Sequence, residues 1–303
     1  MHWVAHCINM NFMTSTNLYL VGGIGNQLYG IYAGLYIREL CGIDVNFKYL
    51  ISSVNKHPYV LSGVNFSREI LINHEEKTSK LESYSRKIHY LSRSRSRVLN
   101  QYCNTFTSKY FSPDIGFDDE ISKFRDKSSI EGYFQTYIYY DELRNAGLGV
   151  PFLTEKSKWF IEYSAIMEKM KPVVLHIRLG DYLNHPKVFV KLNSDYYSTA
   201  ILSLPKYLQD NPIWIFSDNE LLAKEFIKYL PSRNYQIIGQ SKQKSSEVLF
   251  LMSQGIAHII ANSTFSWWAA KLNEKTKLVI APKNWFINRK VPRQLLHDEW
   301  ILI

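Results

Sequence analysis

The sequence predicts an α/β protein in two domains, residues 14–156 and 171–303, each built on a parallel sheet. Three observations carry that expectation. Short apolar runs without strict alternation, such as Val173-Val174-Leu175 after Pro172, suit strands covered on both faces. Stretches with apolar residues at helical spacing separate these runs, the order that builds right-handed parallel crossovers. Several runs then break abruptly into Gly, Asn, Ser, Asp or Arg, and open α/β sheets hold their ligands just past such carboxyl ends.

The first of these breaks follows Asn17 to Val21, an apolar strand that enters Gly22-Gly23-Ile24-Gly25-Asn26-Gln27 and continues through Leu28, Tyr32, Leu35 and Tyr36 at helical spacing. Strand, glycine turn and helix present backbone N–H groups and a positive helix end to an anion. The dinucleotide-binding spacing is not met, because Tyr29 stands where a third glycine is needed. A glycine pair by itself is more often a tight turn. From Asp44 to about Tyr140 strands and helices alternate with little chemistry on display. Asp118-Asp119-Glu120 resembles an acidic metal site, but acids ahead of Ile121 are more often the first turn of a helix, so no metal is expected. Gly132-Tyr133-Phe134-Gln135 reads as an aromatic strand end, equally suited to stacking on a sugar and to core packing. The turn Leu148 to Pro151 and a helix from Ser157 to Met170 connect the halves.

In the second half the expected strands are Val173 to Arg178, Pro212 to Asp218, Tyr235 to Ile238, His258 to Ala261 and Leu278 to Ala281. Helices are expected at Ser194 to Leu204, Glu220 to Tyr229, Glu247 to Gln254 and from Ser263 onward. The strand from Val173 ends in His176, Arg178, Gly180 and Asp181. His176 and Arg178 are two apart in an extended segment and leave the same face. A guanidinium holds two phosphate oxygens in a planar fork, and an imidazole bonds a further oxygen. Gly180 lets the backbone approach a ligand or turn sharply. Any one of these residues alone would be an ordinary strand end; their succession favours a site. Further on, Asn262, Ser263 and Thr264 can each cap the helix that follows, a second cradle for an anion. Trp267-Trp268 then need a close partner, core or nucleotide, with core favoured for at least one ring.

His176-Ile177-Arg178-Leu179-Gly180-Asp181-Tyr182, Gly22-Gly23-Ile24-Gly25-Asn26-Gln27-Leu28 and Asn262-Ser263-Thr264-Phe265-Ser266-Trp267-Trp268-Ala269-Ala270 together resemble glycosyltransferase family 11, the α-1,2-fucosyltransferases that use GDP-fucose. Weaker echoes are Gly132 to Gln135, Phe216-Ser217-Asp218 and Leu251-Met252-Ser253. Many members carry a second Arg where this chain has Leu179, which leaves phosphate binding to Arg178. The resemblance implies a GT-B-like fold of two Rossmann-like domains, acceptor half first and nucleotide half second. It implies inversion at the anomeric centre, with Arg178, Asp181 and His176 as catalytic residues. Asp181 is read as the base or, more conservatively, as a helper that orients Arg178. Donor binding would then fall to Gly23, Gly25, Asn26, Gln27, His176, Arg178, Asn262, Ser263, Thr264 and Ser266, the glycine loop closing on the sugar diphosphate. Glu247 would accept the N1 and N2 hydrogens of guanine, although an ordinary first-turn acid explains it as well.

Composition bounds the remaining possibilities. A chain of 303 residues, 46% hydrophobic and 21% charged, is globular and long enough for two modest domains. No apolar run is long enough to span a membrane and the first residues lack a signal-peptide layout, so a cytoplasmic protein is expected. Met10 and Met13 are alternative starts, which makes the first dozen residues expendable in this reading. Cys7, Cys41 and Cys103 are far apart and read as free thiols. The formal charge of +9 attracts phosphates. Lys80, Arg86, Lys87, Arg93, Arg95 and Arg97, interleaved with Tyr84 and Tyr90, are most simply a solvated face. Their functional reading is peripheral contact with anionic lipid at the inner face of the membrane, and no nucleic-acid motif accompanies the charge.

The expected reaction is transfer of L-fucose from GDP-fucose to the 2-hydroxyl of galactose on a surface-glycan repeat unit or a lipid-linked oligosaccharide. It needs no cofactor and no metal. Two alternatives are kept: another GDP-deoxysugar such as GDP-colitose as donor, and a non-catalytic glycan-binding protein with Trp and Tyr as sugar platforms.

Overall fold

The computed structural model describes residues 15–50, 59–70, 72–75, 109–112, 115–118, 120, 127–180, 187–275 and 278–303. Asp181, Asp119 and the basic segment from Lys80 to Arg97 therefore lie outside the described residues, as do Cys7 and Cys103. The chain divides into two compact units. The first comprises Met1–Tyr59, Phe66–Val150 and Pro292–Leu295; the second comprises Val60–Asn65, Pro151–Val291 and Leu296–Ile303. Two short segments thus cross to the unit that does not hold their chain neighbours, a division that no local sequence pattern announces.

In the first unit a parallel sheet has the order β4-β2-β1-β6-β5. Its strands are β1 (Ser15–Leu20), β2 (Asp44–Leu50), β4 (Ile72–Glu75), β5 (Lys109–Phe111) and β6 (Ser129–Glu131). Helix α1 (Ile24–Cys41) makes the crossover from β1 to β2 and ends at Gly42, which is left-handed and returns its N–H to the Ile37 carbonyl. α1 is buried over most of its circumference, and two helical glycines let the sheet approach. A Cβ on Gly30 would lie 2.8 Å from Leu20, and one on Gly34 would lie 2.4 Å from the ring of Phe47. Helix α2 (Ile138–Asn145) sets Tyr139 and Tyr140 into the same core, where Tyr140 meets Tyr32 edge to face at 4.9 Å.

In the second unit the parallel sheet runs β10-β9-β8-β11-β12-β13. These are β8 (Val173–Ile177), β9 (Ile213–Ser217), β10 (Tyr235–Ile237), β11 (Ala257–Ile259), β12 (Val279–Ala281) and β13 (Ile301–Leu302). β8, β9, β11 and β12 are buried along their whole length, as continuous apolar runs require. α3 (Lys158–Met170), α4 (Ser194–Leu202), α5 (Glu220–Ile227), α6 (Ser245–Met252) and α7 (Thr264–Lys271) alternate with the strands. Ser157, Asn193, Asn219 and Ser263 cap α3, α4, α5 and α7 with their side-chain oxygens. Tyr196, Tyr197, Ala200, Ile201 and Ala223 cover one face of the sheet, against Val173, Leu175, Ile177, Ile213, Ile215 and Ile259. A two-stranded antiparallel ribbon of β3 (Val64–Asn65) and β7 (Phe152–Leu153) completes this unit.

The fold class is therefore the expected one, α/β with two Rossmann-like units, each on a parallel sheet. β13 is an addition: its two residues are too short a run to show a strand pattern and pair only because β12 offers a parallel edge. The helix expected as a connector, α3, is counted in the second unit. Asp118, expected in the first turn of a helix, is assigned to no helix among the described residues. It is buried, accepts the Tyr110 hydroxyl at 2.8 Å and receives the Glu120 N–H at 3.1 Å.

Gly34→Ala tests the α1 packing. Alanine favours a helix interior by about 1 kcal/mol over glycine, but its methyl meets the ring of Phe47, itself 1% exposed. Overpacking of about 1–3 kcal/mol should win, so urea unfolding is expected to show net destabilisation.

Candidate functional site

Parallel sheets place all their carboxyl ends on one edge, and strand order then selects a crevice. In the second unit β8, β9 and β10 follow one another toward one edge, whereas β11 and β12 lie on the other side of β8. The switch point falls between β8 and β11, the place where open α/β sheets bind ligands. His176 lies next to the end of β8, paired in register with Phe216 of β9, and Arg178 follows two residues on. The chain leaving β11 passes through Ile260 and Ala261 to Asn262, Ser263 and the start of α7. The ring of Phe265 in that first turn lies 5.8 Å from the His176 ring, so the two sequence motifs meet at the switch point.

His176 is 2% exposed, and its Nδ1 has no hydrogen-bond partner among the described residues. Burial, and secondarily the Arg178 charge, lowers its pKa to about 3, so the ring is neutral at physiological pH. Arg178 Nε lies 3.2 Å from Asp218 Oδ2, both side chains being about a quarter exposed or less. Asp218 also accepts the Leu179 N–H at 2.8 Å on Oδ1 and the Gly180 N–H at 2.9 Å on Oδ2. In the sequence Asp218 stands only within a weak family echo, Phe216-Ser217-Asp218. The available signal was its position, the first residue after an apolar strand that neighbours the His-Arg strand.

Several residues expected at the donor have hydrogen-bond partners within the protein. Asn262 is buried and donates to the Val190 carbonyl at 2.8 Å and the Trp285 carbonyl at 3.0 Å, tying two loops to the end of β11. Ser266 is fully buried, its hydroxyl against the Ala261 and Ser263 carbonyls. Ser263 caps α7 by accepting the Phe265 N–H, leaving Thr264, half-buried, as the first helical residue at that end. Trp267 and Trp268 are both core, each fully buried and crossing edge to face at 5.0 Å. Glu247, expected at the guanine base, has partners within the protein. Its Oε1 accepts the Ser157 N–H at 2.6 Å and Oε2 the Ser157 hydroxyl at 2.8 Å, so this buried carboxylate secures the start of α3.

In the first unit the switch point lies between β1 and β6. Gly22 has φ +75, and a Cβ there would lie 2.6 Å from the Asn26 amide, so both conformation and space demand glycine. Gly23 is the N-cap residue of α1 and supplies no side-chain cap, and no acid stands in the first turn. Gly25 and Gln27 are buried in α1; the Gln27 amide donates to the Gly22 carbonyl at 2.8 Å and braces the turn rather than facing out. Asn26 Oδ1 accepts the Gln135 amide at 3.0 Å. The Gly132 to Gln135 stretch thereby joins the glycine turn. Phe134 is fully buried at φ 52, which assigns that ring to the core.

Two expected outcomes follow. Glu247→Ala should lower unfolding stability by about 1–3 kcal/mol through the lost α3 cap, while calorimetric affinity for GDP changes less than about two-fold; a guanine reader would lose tenfold or more per 1.4 kcal/mol. Acid should also destabilise the protein, because buried His176 and His258 have pKa values lowered to about 3 and about 4. Their unfolded values lie near 6.5, so the unfolded chain binds protons first and stability is lost as pH falls from about 6.5 toward 4, by up to about 1.4 kcal/mol per ring per pH unit. Asp118, raised by burial, opposes this at lower pH, yet it is one group against three, since burial also lowers His297 to about 3. Urea unfolding at pH 7 and pH 5 checks the sign.

The profile of Glycosyl transferase family 11 matches residues 158–303. The O-antigen biosynthesis glycosyltransferase WbnK of Escherichia coli is 30% identical over 305 residues, covering 93% of this chain and 98% of that protein. An alpha-1,2-colitosyltransferase of Escherichia coli is 32% identical over 129 residues, 41% of this chain and 44% of that protein. Among solved structures, fucosyltransferase NodZ from Bradyrhizobium is similar at TM-score 0.46 and 10% identity, with 85% of this chain and 93% of that chain covered. With the family profile lying over the domain that carries His176, Arg178 and the α7 turn, and a relative matched across almost its whole length, the chain belongs to glycosyltransferase family 11.

Proposed function

We propose that this family 11 glycosyltransferase moves L-fucose from GDP-fucose to the 2-hydroxyl of a galactose residue in a surface polysaccharide, with inversion. The observation that carries the reading is the meeting of the His176–Arg178 strand end with the first turn of α7 at the switch point of the second unit. Glycosyl transfer from a nucleotide passes through an oxocarbenium-like state while negative charge gathers on the departing diphosphate. Arg178 supplies a permanent cation for those oxygens, and the start of α7 supplies N–H groups with the positive end of the helix dipole. His176, neutral and buried, adds a hydrogen-bonding group without adding charge. The glycine turn at Gly22-Gly23 and the uncapped start of α1 offer a comparable anion-facing end in the first unit. These parts need no metal in this reading. Asp181 is kept as base or as a helper of Arg178 on sequence grounds, since it lies outside the described residues.

The WbnK relative, an O-antigen biosynthesis glycosyltransferase, favours a surface-polysaccharide acceptor. The colitosyltransferase relative supports a second reading in which the donor is GDP-colitose, with the same phosphate chemistry and a different sugar pocket. Among the described residues no helix is long and apolar enough to cross a membrane. A peripheral contact with anionic lipid through the Lys80 to Arg97 segment stays part of the proposal.

Calorimetric titration of the wild type and Arg178→Ala with GDP, and with ADP as control, tests the reading. GDP is expected to bind the wild type in preference to ADP, and to bind Arg178→Ala about ten- to a hundredfold more weakly, the worth of one charge-assisted contact. GDP release from GDP-fucose in the presence of galactosides is expected to survive EDTA. A folded wild type that binds no GDP would point to glycan binding instead, and turnover with GDP-colitose alone would select the second donor.

A further inference from the structure

Asp218 stands directly after β9, beside the end of β8. Three consecutive residues of that end turn their donors onto its carboxylate: Arg178 through Nε at 3.2 Å, Leu179 through its N–H at 2.8 Å and Gly180 through its N–H at 2.9 Å. The fit is steric as well as polar. A Cβ on Gly180 would lie 2.6 Å from Asp218 Oδ2, and Gly180 has no positive φ that would itself require glycine. The motif's glycine is thus explained by the carboxylate packed on it, not by a sharp turn.

Two roles are chemically open to such a carboxylate. A competitor would occupy the cation and the amide pair that a diphosphate needs, and its removal would tighten nucleotide binding. A positioning group would hold the guanidinium by its inner nitrogen and keep it aimed. A long arginine side chain loses rotamer freedom when it is held in one geometry. Freezing it before the donor arrives spares that cost on binding and raises the share available for the transition state. The anchorage of the carboxylate favours the second role, because the Leu179 and Gly180 N–H groups fix it to the backbone of the same strand end and it can then hold the guanidinium in one place. Resting on the proposed phosphate role of Arg178, we propose that Asp218 is its positioning residue, and that Gly180 is glycine in order to admit that carboxylate.

The test is a double-mutant cycle read by GDP calorimetry on the wild type, Arg178→Ala, Asp218→Asn and the double variant, with thermal midpoints as folding control. Asparagine keeps the size but turns an NH2 group toward the donors. Asp218→Asn is expected to weaken GDP about tenfold, a loss that disappears in the Arg178→Ala background because Asp218 acts through that side chain. Gly180→Ala displaces the carboxylate without altering it, and should weaken GDP in the same direction; it serves also should Asp218→Asn fail to fold. Tighter or unchanged GDP binding in Asp218→Asn overturns the proposal, as does full additivity with Arg178→Ala, the mark of a merely structural residue. If Arg178→Ala itself binds GDP as the wild type does, the phosphate role fails first and the positioning role with it.

Discussion

A parallel sheet with helices on both faces leaves a protein one place to meet a ligand, the ends of its strands. Every side chain along β8, β9, β11 and β12 is buried, and the crossover helices close the faces of the sheet. Polar groups within the strands would cost several kilocalories per mole unless bonded, so chemistry collects where the strands stop. His176, Arg178, Asp218 and the turn after β11 all obey this constraint, and so do Gly22, Gly23 and Gln135 in the first unit. The two switch points come from strand order, which separates neighbouring loops and opens a crevice at each.

The same constraint explains why polar residues in recognisable motifs divide into two kinds. A strand end leaves backbone carbonyls and N–H groups partly buried, and these must be satisfied. Gln27, Asn262 and Ser266 do that work for the loops they stand in. Glu247 does it for a helix 90 residues away in sequence. The proposed function draws on a smaller group: the Arg178 guanidinium, the neutral His176 ring and the first turns of α1 and α7. Such a small set suits the proposed transfer from a nucleotide sugar, a reaction in which a departing diphosphate is stabilised by groups already in place.

Asp218 shows how a site is assembled from separate strands. Its carboxylate joins the end of β9 to the end of β8 by three donors, so the geometry of Arg178 is set by a neighbour 40 residues away along the chain. The backbone N–H of Leu179 is used even though its side chain brings no charge.

The sequence by itself determined the fold class and most of the second sheet, because continuous apolar runs alternating with capped helical segments have few other ways to bury themselves. It also located the strand ends of the second sheet, since breaks from apolar to polar residues mark them directly. Tertiary structure alone decided what each polar residue at those ends does. Glu247 reads as a first-turn acid or a base reader until the Ser157 cap is brought beside it. Gly180 reads as a turn until Asp218 is packed against it, and Asn26 shows no link to Gln135 until β6 lies beside β1. Periodicity and composition report burial and local conformation, which are properties of neighbouring residues. Hydrogen-bond partners across a parallel sheet are set by strand order and register, and those exist only once the chain has folded.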